Sequence, residues 1–270
     1  MRFRMIFVLL GLTLGVAVSG WAESESDNGL DPTNPISRTD LRYQYQNLPP
    51  SNHDRFHSLA LRGDQLYIMS QEWAWATRLD LPLVITNQAS SDNPSGDTKL
   101  GFGDVLLQAI VINRPSSTFA WMAGSQFILP TASQDQMGAG KYQIIPSAAA
   151  RWTLTGQREG SWFAPLVRYA VDVAGEDNRN RIREFQFAPS LNLTLTEGWF
   201  LNFYPSSDIR YNFEAQRPGD SGKWFIPFDF LVGRKWSPTT IGTLEVSFPL
   251  VQQYQVYDFK IEANIYFLYF

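Results

Sequence analysis

Charged residues recur at alternate positions inside otherwise apolar segments of this 270-residue chain. In Arg78-Leu-Asp80-Leu81, for example, a base and an acid share one parity and leucines occupy the other. Such side chains can pair with one another, bind a charged solute or line a water-filled passage, but they are costly to bury alone. The residues with this pattern are Arg42, Arg78, Asp80, Arg151, Arg168, Asp172, Asp208, Arg210, Asp229, Asp258, Lys260 and Glu262, and we predict that they face a wet or mutually paired interior.

The two histidines, His53 and His57, are the first candidates for catalysis or metal binding. Asp54 adjoins His53 and Ser58 adjoins His57. Neighbouring residues on a strand point to opposite faces, so neither pair has the geometry of a nucleophile and its base. No third metal ligand accompanies the histidines, and we interpret them as solvated loop residues. We therefore predict no catalytic residue, no metal site and no cofactor.

Two glycine-containing motifs resemble phosphate-binding loops. After Gly138-Ala-Gly-Lys141, Tyr142 stands where Ser or Thr would hold magnesium, and Asp135 replaces the first glycine. Gly101-Phe-Gly-Asp104 lacks a third glycine. Bends at the rim of a sheet explain this second motif better.

The composition excludes further classes of protein. The chain has no cysteine, which excludes a disulfide-stapled fold and thiolate metal sites. It has 22 basic and 26 acidic residues and a net charge of -4, so we predict no nucleic-acid partner. Charged residues make up 18% of the chain, which is below the ~25% of an ordinary soluble domain.

The N-terminus has the features of a secretory signal peptide. Arg2 and Arg4 precede an apolar run of about 15 residues, which is shorter than the ~20 of a spanning helix. Gly20-Trp21-Ala22 resembles a cleavage site. We predict a signal peptide at residues 1–22, a flexible polar leader at 23–37 and a single folded domain at 38–270.

Apolar and polar residues alternate with a period of two through nearly all of residues 38–270, which is typical of strands with one apolar face. The segments run for about 10–15 residues, whereas ordinary strands have ~5–6. About twelve strands are predicted, at 38–46, 56–69, 72–86, 100–113, 117–130, 140–155, 160–173, 181–196, 198–213, 222–236, 239–253 and 255–270.

Short turns and longer polar loops alternate between these segments, except for a short last loop, which is the arrangement of an outer-membrane barrel. A soluble β-sandwich also alternates, but its strands are shorter and only its outer face is polar. An open sheet edge is excluded in lipid, and a lipid-facing Arg or Lys at mid-membrane costs about 2–4 kcal/mol. We therefore predict an all-β fold, a transmembrane antiparallel up-and-down β-barrel in the bacterial outer membrane. Aromatic residues at the strand ends would form its interfacial girdles: Trp73, Trp152, Trp162, Trp199 and Trp236 by the short turns, and Tyr142, Tyr211, Phe213, Trp224 and Tyr257 by the longer loops.

The chain ends in Tyr266-Phe-Leu-Tyr-Phe270, which resembles the C-terminal assembly signal of outer-membrane barrels. Glu262 and Asn264 fall on the parity that this signal keeps apolar, so we expect a bulge or break near the end. The predicted partners are membrane lipid, lipopolysaccharide, the barrel-assembly machinery through Phe270, and a small-molecule solute.

Leu129-Pro-Thr-Ala-Ser, followed by Gly138-Ala-Gly-Lys-Tyr142 and Pro146, resembles a signature of a bacterial family of outer-membrane transporters. Its members are labelled as proteins of the phenol-degradation meta pathway or as neuromedin-like. Further matches are Gly101-Phe-Gly-Asp104, Gly175-Glu-Asp, Gly198-Trp-Phe, and Gly222-Lys-Trp with Pro227 and Gly233, so the resemblance covers most of the chain. It implies a channel-like barrel linked to the uptake of small organic compounds, with no catalytic residues to carry over.

We therefore predict a channel or transporter for small solutes, with small organic or aromatic compounds as candidates. One alternative is a barrel that its own ion pairs fill, with a structural or adhesive role; a less favoured one is a barrel enzyme such as a phospholipase. A barrel of about twelve strands lies between filled barrels of ~8 strands and open porins of ~16–18, so we expect a narrow pore. A hairpin near Pro218 is expected to bring Arg210 close to Asp229 at its constriction.

Overall fold

The computed structural model describes residues 28–49, 54–215 and 220–269. The predicted signal peptide, His53, Pro218 and Phe270 lie outside these residues. The described residues contain one 3-10 helix, Asp135–Met137. They also contain fourteen β-segments: β1 (Arg38–Leu48), β2 (Asp54–Ile68), β3 (Trp73–Thr86), β4 (Lys99–Phe102), β5 (Val105–Asn113), β6 (Phe119–Leu129), β7 (Lys141–Thr153), β8 (Trp162–Gly175), β9 (Arg183–Thr194), β10 (Trp199–Phe203), β11 (Ile209–Asn212), β12 (Trp224–Ser237), β13 (Thr240–Gln252) and β14 (Phe259–Leu268).

The segments form one closed antiparallel barrel of twelve strands. β4 and β5 both pair with β3 and are two parts of one strand, and β10 and β11 likewise lie between β9 and β12. β1 closes the barrel by pairing with β14. The predicted fold class and strand number are confirmed.

The two faces of the wall differ as the alternation predicted. On β3, the leucines at 79, 81 and 83 are exposed on the outer surface, whereas Ala74 and Ala76 are buried inside. Closure pairs the backbone groups within the sheet, so an apolar outer belt can face lipid. Membrane lipid is therefore the surrounding of this barrel.

Among the described residues, no helix has the length and apolar character needed to cross a membrane.

Two predicted members of the aromatic girdles point inward instead. Trp162 has the same parity as the buried Ala164, and only 5% of its surface is exposed. Tyr257 is 2% exposed, and its hydroxyl lies 2.8 Å from Ser247 Oγ and 2.9 Å from Ser207 Oγ. Their assignment to the girdles was wrong because residues at a strand end can face either side.

The expected bulge near the C-terminus does not occur between residues 259 and 268. The register of β14 against β1 runs without a shift from Phe259 opposite Asn47 to Leu268 opposite Arg38. Glu262 accordingly faces the interior, while Phe267 is exposed outside.

Candidate functional site

One side of the lumen carries a charged wall formed by β1, β2 and β3. Arg62 Nη2 lies 2.5 Å from Asp80 Oδ2. Asp64 accepts hydrogen bonds from Arg78 Nε at 2.6 Å and from Arg38 Nε at 3.1 Å. All five residues occupy inward positions, so each acid is neutralised by a neighbour on the wall.

Strand register explains these pairs. Arg62 is directly opposite Asp80, and Asp64 is directly opposite both Arg78 on β3 and Arg38 on β1. Side chains at directly opposed positions have Cβ atoms ~4.5–5.5 Å apart, within reach of a guanidinium and a carboxylate. Arg42 extends the wall by pairing diagonally with Glu262 of β14.

A different structure occupies the break between β10 and β11. Phe203 is opposite Leu191 and Ile209 is opposite Phe187, so the five residues 204–208 face only 188–190 of β9. The two extra residues bow the chain into the lumen. Tyr204 adopts a φ of 56°, a left-handed conformation that is uncommon outside glycine. We call residues 204–208 the inward kink.

Asp229 of β12 anchors the inward kink. Its Oδ2 accepts the backbone N–H groups of Ser207 at 2.8 Å and Ser206 at 3.3 Å. The hydroxyl of Tyr204 donates to the carbonyl of Pro227 at 3.0 Å. Because Asp229 is fully buried, these bonds replace the water that its carboxylate would otherwise bind.

A lysine from β14 completes this network. Lys260 Nζ donates to Ser206 Oγ at 2.6 Å and to Glu245, and it lies 3.9 Å from Asp229 Oδ1. Glu245 is directly opposite another acid, Glu262. Lys260 therefore compensates a cluster of like charges that register alone would bring together.

Residues 28–37 pack inside the barrel, so the prediction of a flexible leader does not hold for this part. Asn28 Nδ2 donates to Asn192 Oδ1 at 2.8 Å, and Asp31 Oδ2 lies 2.9 Å from Arg151 Nε. The carbonyl of Gly29 accepts a hydrogen bond from Arg38. Polar side chains that suggested a solvated leader instead find partners in the wall. We call residues 28–37 the inner segment; it lies at the short-turn end of the lumen, where β7 and β9 end.

At the opposite end, the loop of residues 130–140 folds onto the mouth of the barrel. Asp104, in the break between β4 and β5, accepts the backbone N–H groups of Ala132 at 3.1 Å and Ala139 at 2.7 Å. Arg179 from the next long loop donates to the carbonyls of Asp135, at 2.6 Å, and Gly138.

The glycine motifs are structural parts of this loop and its support. A Cβ at Gly138 would lie 2.4 Å from the Asp104 carboxylate, and one at Gly101 would lie 2.0 Å from Ser133 Oγ. Both positions therefore favour glycine, because a side chain there would overlap these neighbours.

Between these ends lies a cavity of about 230 Å³. Its lining includes the inner segment, the inward kink and the charged wall, with Arg42, Arg62, Arg78 and Arg168. Leu106 and Met122 belong to an apolar part of the same lining. The cavity is the candidate site because it joins charged and apolar groups in the lumen.

Of the residues predicted to line the interior, Arg42, Arg78, Arg168 and Glu262 line this cavity. Others lie elsewhere in the lumen, in ion pairs that involve Asp80, Arg151, Asp172, Asp208, Arg210, Asp229 and Lys260. Asp258 precedes β14 at the long-loop end, where its Oδ1 lies 3.5 Å from Gln252 Nε2.

The predicted approach of Arg210 to Asp229 was wrong. Arg210 is opposite Phe225, four residues before Asp229, and its Nη1 lies 3.6 Å from Glu184 Oε1. Asp229 instead lies beside the inward kink, because Phe230 is opposite Phe203, the last residue before the kink. Arg38, Asp40, Arg62, Asp64, Glu184 and Glu245 were not selected, although the same parity rule applied to β1, β2, β9 and β13 would have found them.

His57 lies on β2 rather than in a solvated loop. Its Nδ1 is 2.8 Å from the hydroxyl of Tyr43, and its ring centroid is 5.1 Å from that of Tyr45. Across the described ranges, no group of three or more His, Cys, Asp and Glu side chains could hold a metal ion.

Solved structures of outer-membrane proteins share this fold. An outer membrane channel from Pseudomonas putida F1 matches with a TM-score of 0.68 and 12% identity, over 87% of this chain and 96% of that one. The NanC porin matches with a TM-score of 0.57 and 11% identity, over 86% of this chain and 100% of that one. The KdgM porin matches with a TM-score of 0.52 and 9% identity, over 86% of this chain and 99% of that one. Comparison with curated proteins found no match.

The sequence also matches a model of a protein family. Residues 66–220, more than half of the chain, match the model described as the MetA-pathway of phenol degradation. Those residues include the 130–140 loop and its Asp104 support. The protein therefore belongs to the MetA-pathway of phenol degradation family, as the sequence motifs had indicated.

Proposed function

We propose that the protein is a channel of the bacterial outer membrane through which small solutes, including small aromatic compounds, cross the barrel. The observation that carries this proposal is the lumenal cavity with its charged lining. Charged side chains at membrane depth are tolerated where they line a wet interior. The family and the porin-like fold support the same conclusion.

The proposed path is narrow at both ends. The inner segment crosses the short-turn end, and the 130–140 loop covers the other, so a solute enters a cavity of about 230 Å³ through constrictions. We expect small, discrete conductance steps and exclusion of large solutes. The lumenal charges predicted from the sequence are the proposed lining of this path.

Packing of the inner segment favours a second function, a non-conducting structural barrel. The ion pair of Asp31 with Arg151 holds this segment across the lumen at 2.9 Å. If the protein is a channel, weakening this ion pair widens an existing path. If the protein is a plugged barrel, weakening the pair opens a path that the native protein does not use.

Conductance of the purified, folded protein in a planar bilayer separates the two functions. The channel proposal expects steps from the unmodified protein and larger steps from Asp31→Asn, which weakens the ion pair while preserving the size of the side chain. Folding is checked by heat-shifted gel mobility. Steps from Asp31→Asn alone would support the structural barrel, and silence from both proteins would overturn the channel.

We also propose that residues 1–22 are removed on export and that Phe270 engages the barrel-assembly machinery. The intact mass should correspond to a chain that begins at Glu23, and deletion of Phe270 should reduce the yield of folded protein without changing its synthesis.

Loop acids such as Asp92 and Glu176 are proposed to bind lipopolysaccharide phosphates through divalent ions. Chelation should then lower the retention of lipopolysaccharide by the purified barrel.

A further inference from the structure

Three of the arginines that line the cavity, Arg42, Arg78 and Arg168, are more exposed than the acids that neutralise them. The side chain of Arg78 is 20% exposed and that of its partner Asp64 is 4% exposed. Arg42 and Glu262 show 15% and 4%, respectively. Each of these pairs is neutral as a whole, but its more exposed member is the cation.

Arg168 repeats this arrangement on β8. Its side chain is 16% exposed and that of its partner Asp208 is 5% exposed. Nη2 of Arg168 is bonded to Asp208 at 2.6 Å, and the rest of its exposed guanidinium edge faces the cavity that it lines. A guanidinium has five N–H donors in a planar fork, so Arg168 can bind an anion without losing Asp208.

An apolar surface adjoins these cations. Ile110 and Met122 belong to a packed cluster on β5 and β6, Leu166 of β8 packs against it, and all three line the cavity together with Leu106. Such a surface gains free energy when it takes an apolar body out of water. The volume of about 230 Å³ is below the ~300–1,000 Å³ of pockets for drug-sized ligands, so the occupant must be compact.

We propose that this cavity is a binding site for small organic monocarboxylates with a compact apolar body, such as one aromatic ring. The carboxylate binds the exposed guanidinium donors of Arg168 and the charged wall, and the ring lies against Met122 and Leu166. The inference rests on the proposed channel function and names its solute class. An inorganic anion lacks the apolar half, and a neutral ring lacks the anionic half.

Three probes separate these contributions in bilayer recordings. Benzoate has both halves, acetate has the carboxylate with a minimal apolar body, and benzyl alcohol has the ring without the charge. We expect benzoate to interrupt the chloride current at concentrations at least tenfold lower than either of the others. Equal potency of benzoate and acetate would overturn the apolar half of the site.

Variants locate the site within the lumen. Arg168→Gln should weaken interruption by benzoate and acetate about tenfold, whereas Met122→Gln should weaken benzoate alone. Arg210→Gln is the matched control, because it removes a lumenal arginine that pairs with Glu184 and does not line the cavity. It should leave the benzoate concentration dependence unchanged, and an effect equal to that of Arg168→Gln would overturn the assignment.

Calorimetry of benzoate with the folded protein in detergent distinguishes this inference from the channel proposal. If benzoate binds, Arg168→Gln weakens that binding and the protein gives no conductance, the binding site would be supported and the channel proposal overturned. Conductance with no benzoate binding by either method would overturn the site and sustain the channel.

Discussion

The charged wall and the inward kink both place ionised groups in the lumen, but they neutralise them differently. On the wall, Arg62 and Asp80 are directly opposed, so neutralisation follows from register. At the kink, Asp229 is opposite Ser247 and is neutralised by backbone N–H groups and by Lys260. Regular pairing therefore satisfies charges through neighbours, whereas an irregular segment needs an anchor that reaches it from elsewhere.

Prolines show why the irregularity occurs on this side. Pro165 is opposite Pro189 on β8 and β9, and Pro227 is opposite Pro249 on β12 and β13. Proline has no N–H to donate to a sheet, so the strands beside the break lose ladder bonds at these positions. The chain between them can bow inward with little loss of pairing.

Removal of the anchor should have the largest effect. Asp229→Ala leaves the N–H groups of Ser206 and Ser207 without their acceptor and removes an acid near Lys260, so we expect a loss of about 3–5 kcal/mol in unfolding free energy. Denaturant unfolding followed by gel mobility measures it. Asp229→Asn keeps an acceptor oxygen and should lose much less. If Asp229→Ala is as stable as the unmodified protein, Asp229 does not anchor the inward kink.

The outer face of the same strand provides the next test. Phe228 is exposed to lipid beside Phe248, so Phe228→Arg should impair assembly by about 2–4 kcal/mol, whereas Phe228→Leu should fold normally. Folded yield in the membrane fraction is the measurement. If Phe228→Arg folds as well as Asp229→Asn, the lipid-facing parity of β12 is wrong.

Changes in the charged wall should lower the unfolding free energy less, and a second change should restore it. Asp80→Asn leaves Arg62 without its opposed acid, and we expect a coupling of about 1–2 kcal/mol between the two residues. Exchange of the pair, Arg62→Asp with Asp80→Arg, should recover most of the loss because the register is unchanged. A double-mutant cycle by denaturant unfolding measures this; an exchange as damaging as the single change would contradict neutralisation by register.

Arg210→Ala should have the smallest effect, on ion preference rather than stability. Arg210 pairs with Glu184 at 3.6 Å beyond the kink, and its removal leaves an acid in the lumen. The reversal potential in a salt gradient should therefore shift toward cations. Arg181→Ala, at the exposed rim, is the control and should shift it less. A shift toward anions would contradict this electrostatic account.

The sequence by itself determined the barrel, its twelve strands and the parity of most wall residues. Alternation is a local property, because successive side chains on a strand point to opposite faces whatever the strand pairs with. Asp80 and Glu262 could thus be assigned to the interior before any pairing was known. The exposed leucines of β3 could be assigned to lipid in the same way.

Tertiary structure alone decided which groups meet inside. Asn28 bonds Asn192 across 164 positions of sequence, and Arg210 meets Glu184 diagonally, because the kink places Arg210 opposite Gln186. Tyr257 turned inward before β14 begins, where alternation no longer constrains it, whereas Trp162 keeps the inward parity of β8. These contacts depend on strand register, on where a strand breaks and on which segment fills the lumen. Each of these is set by closure of the whole barrel rather than by any one stretch of residues.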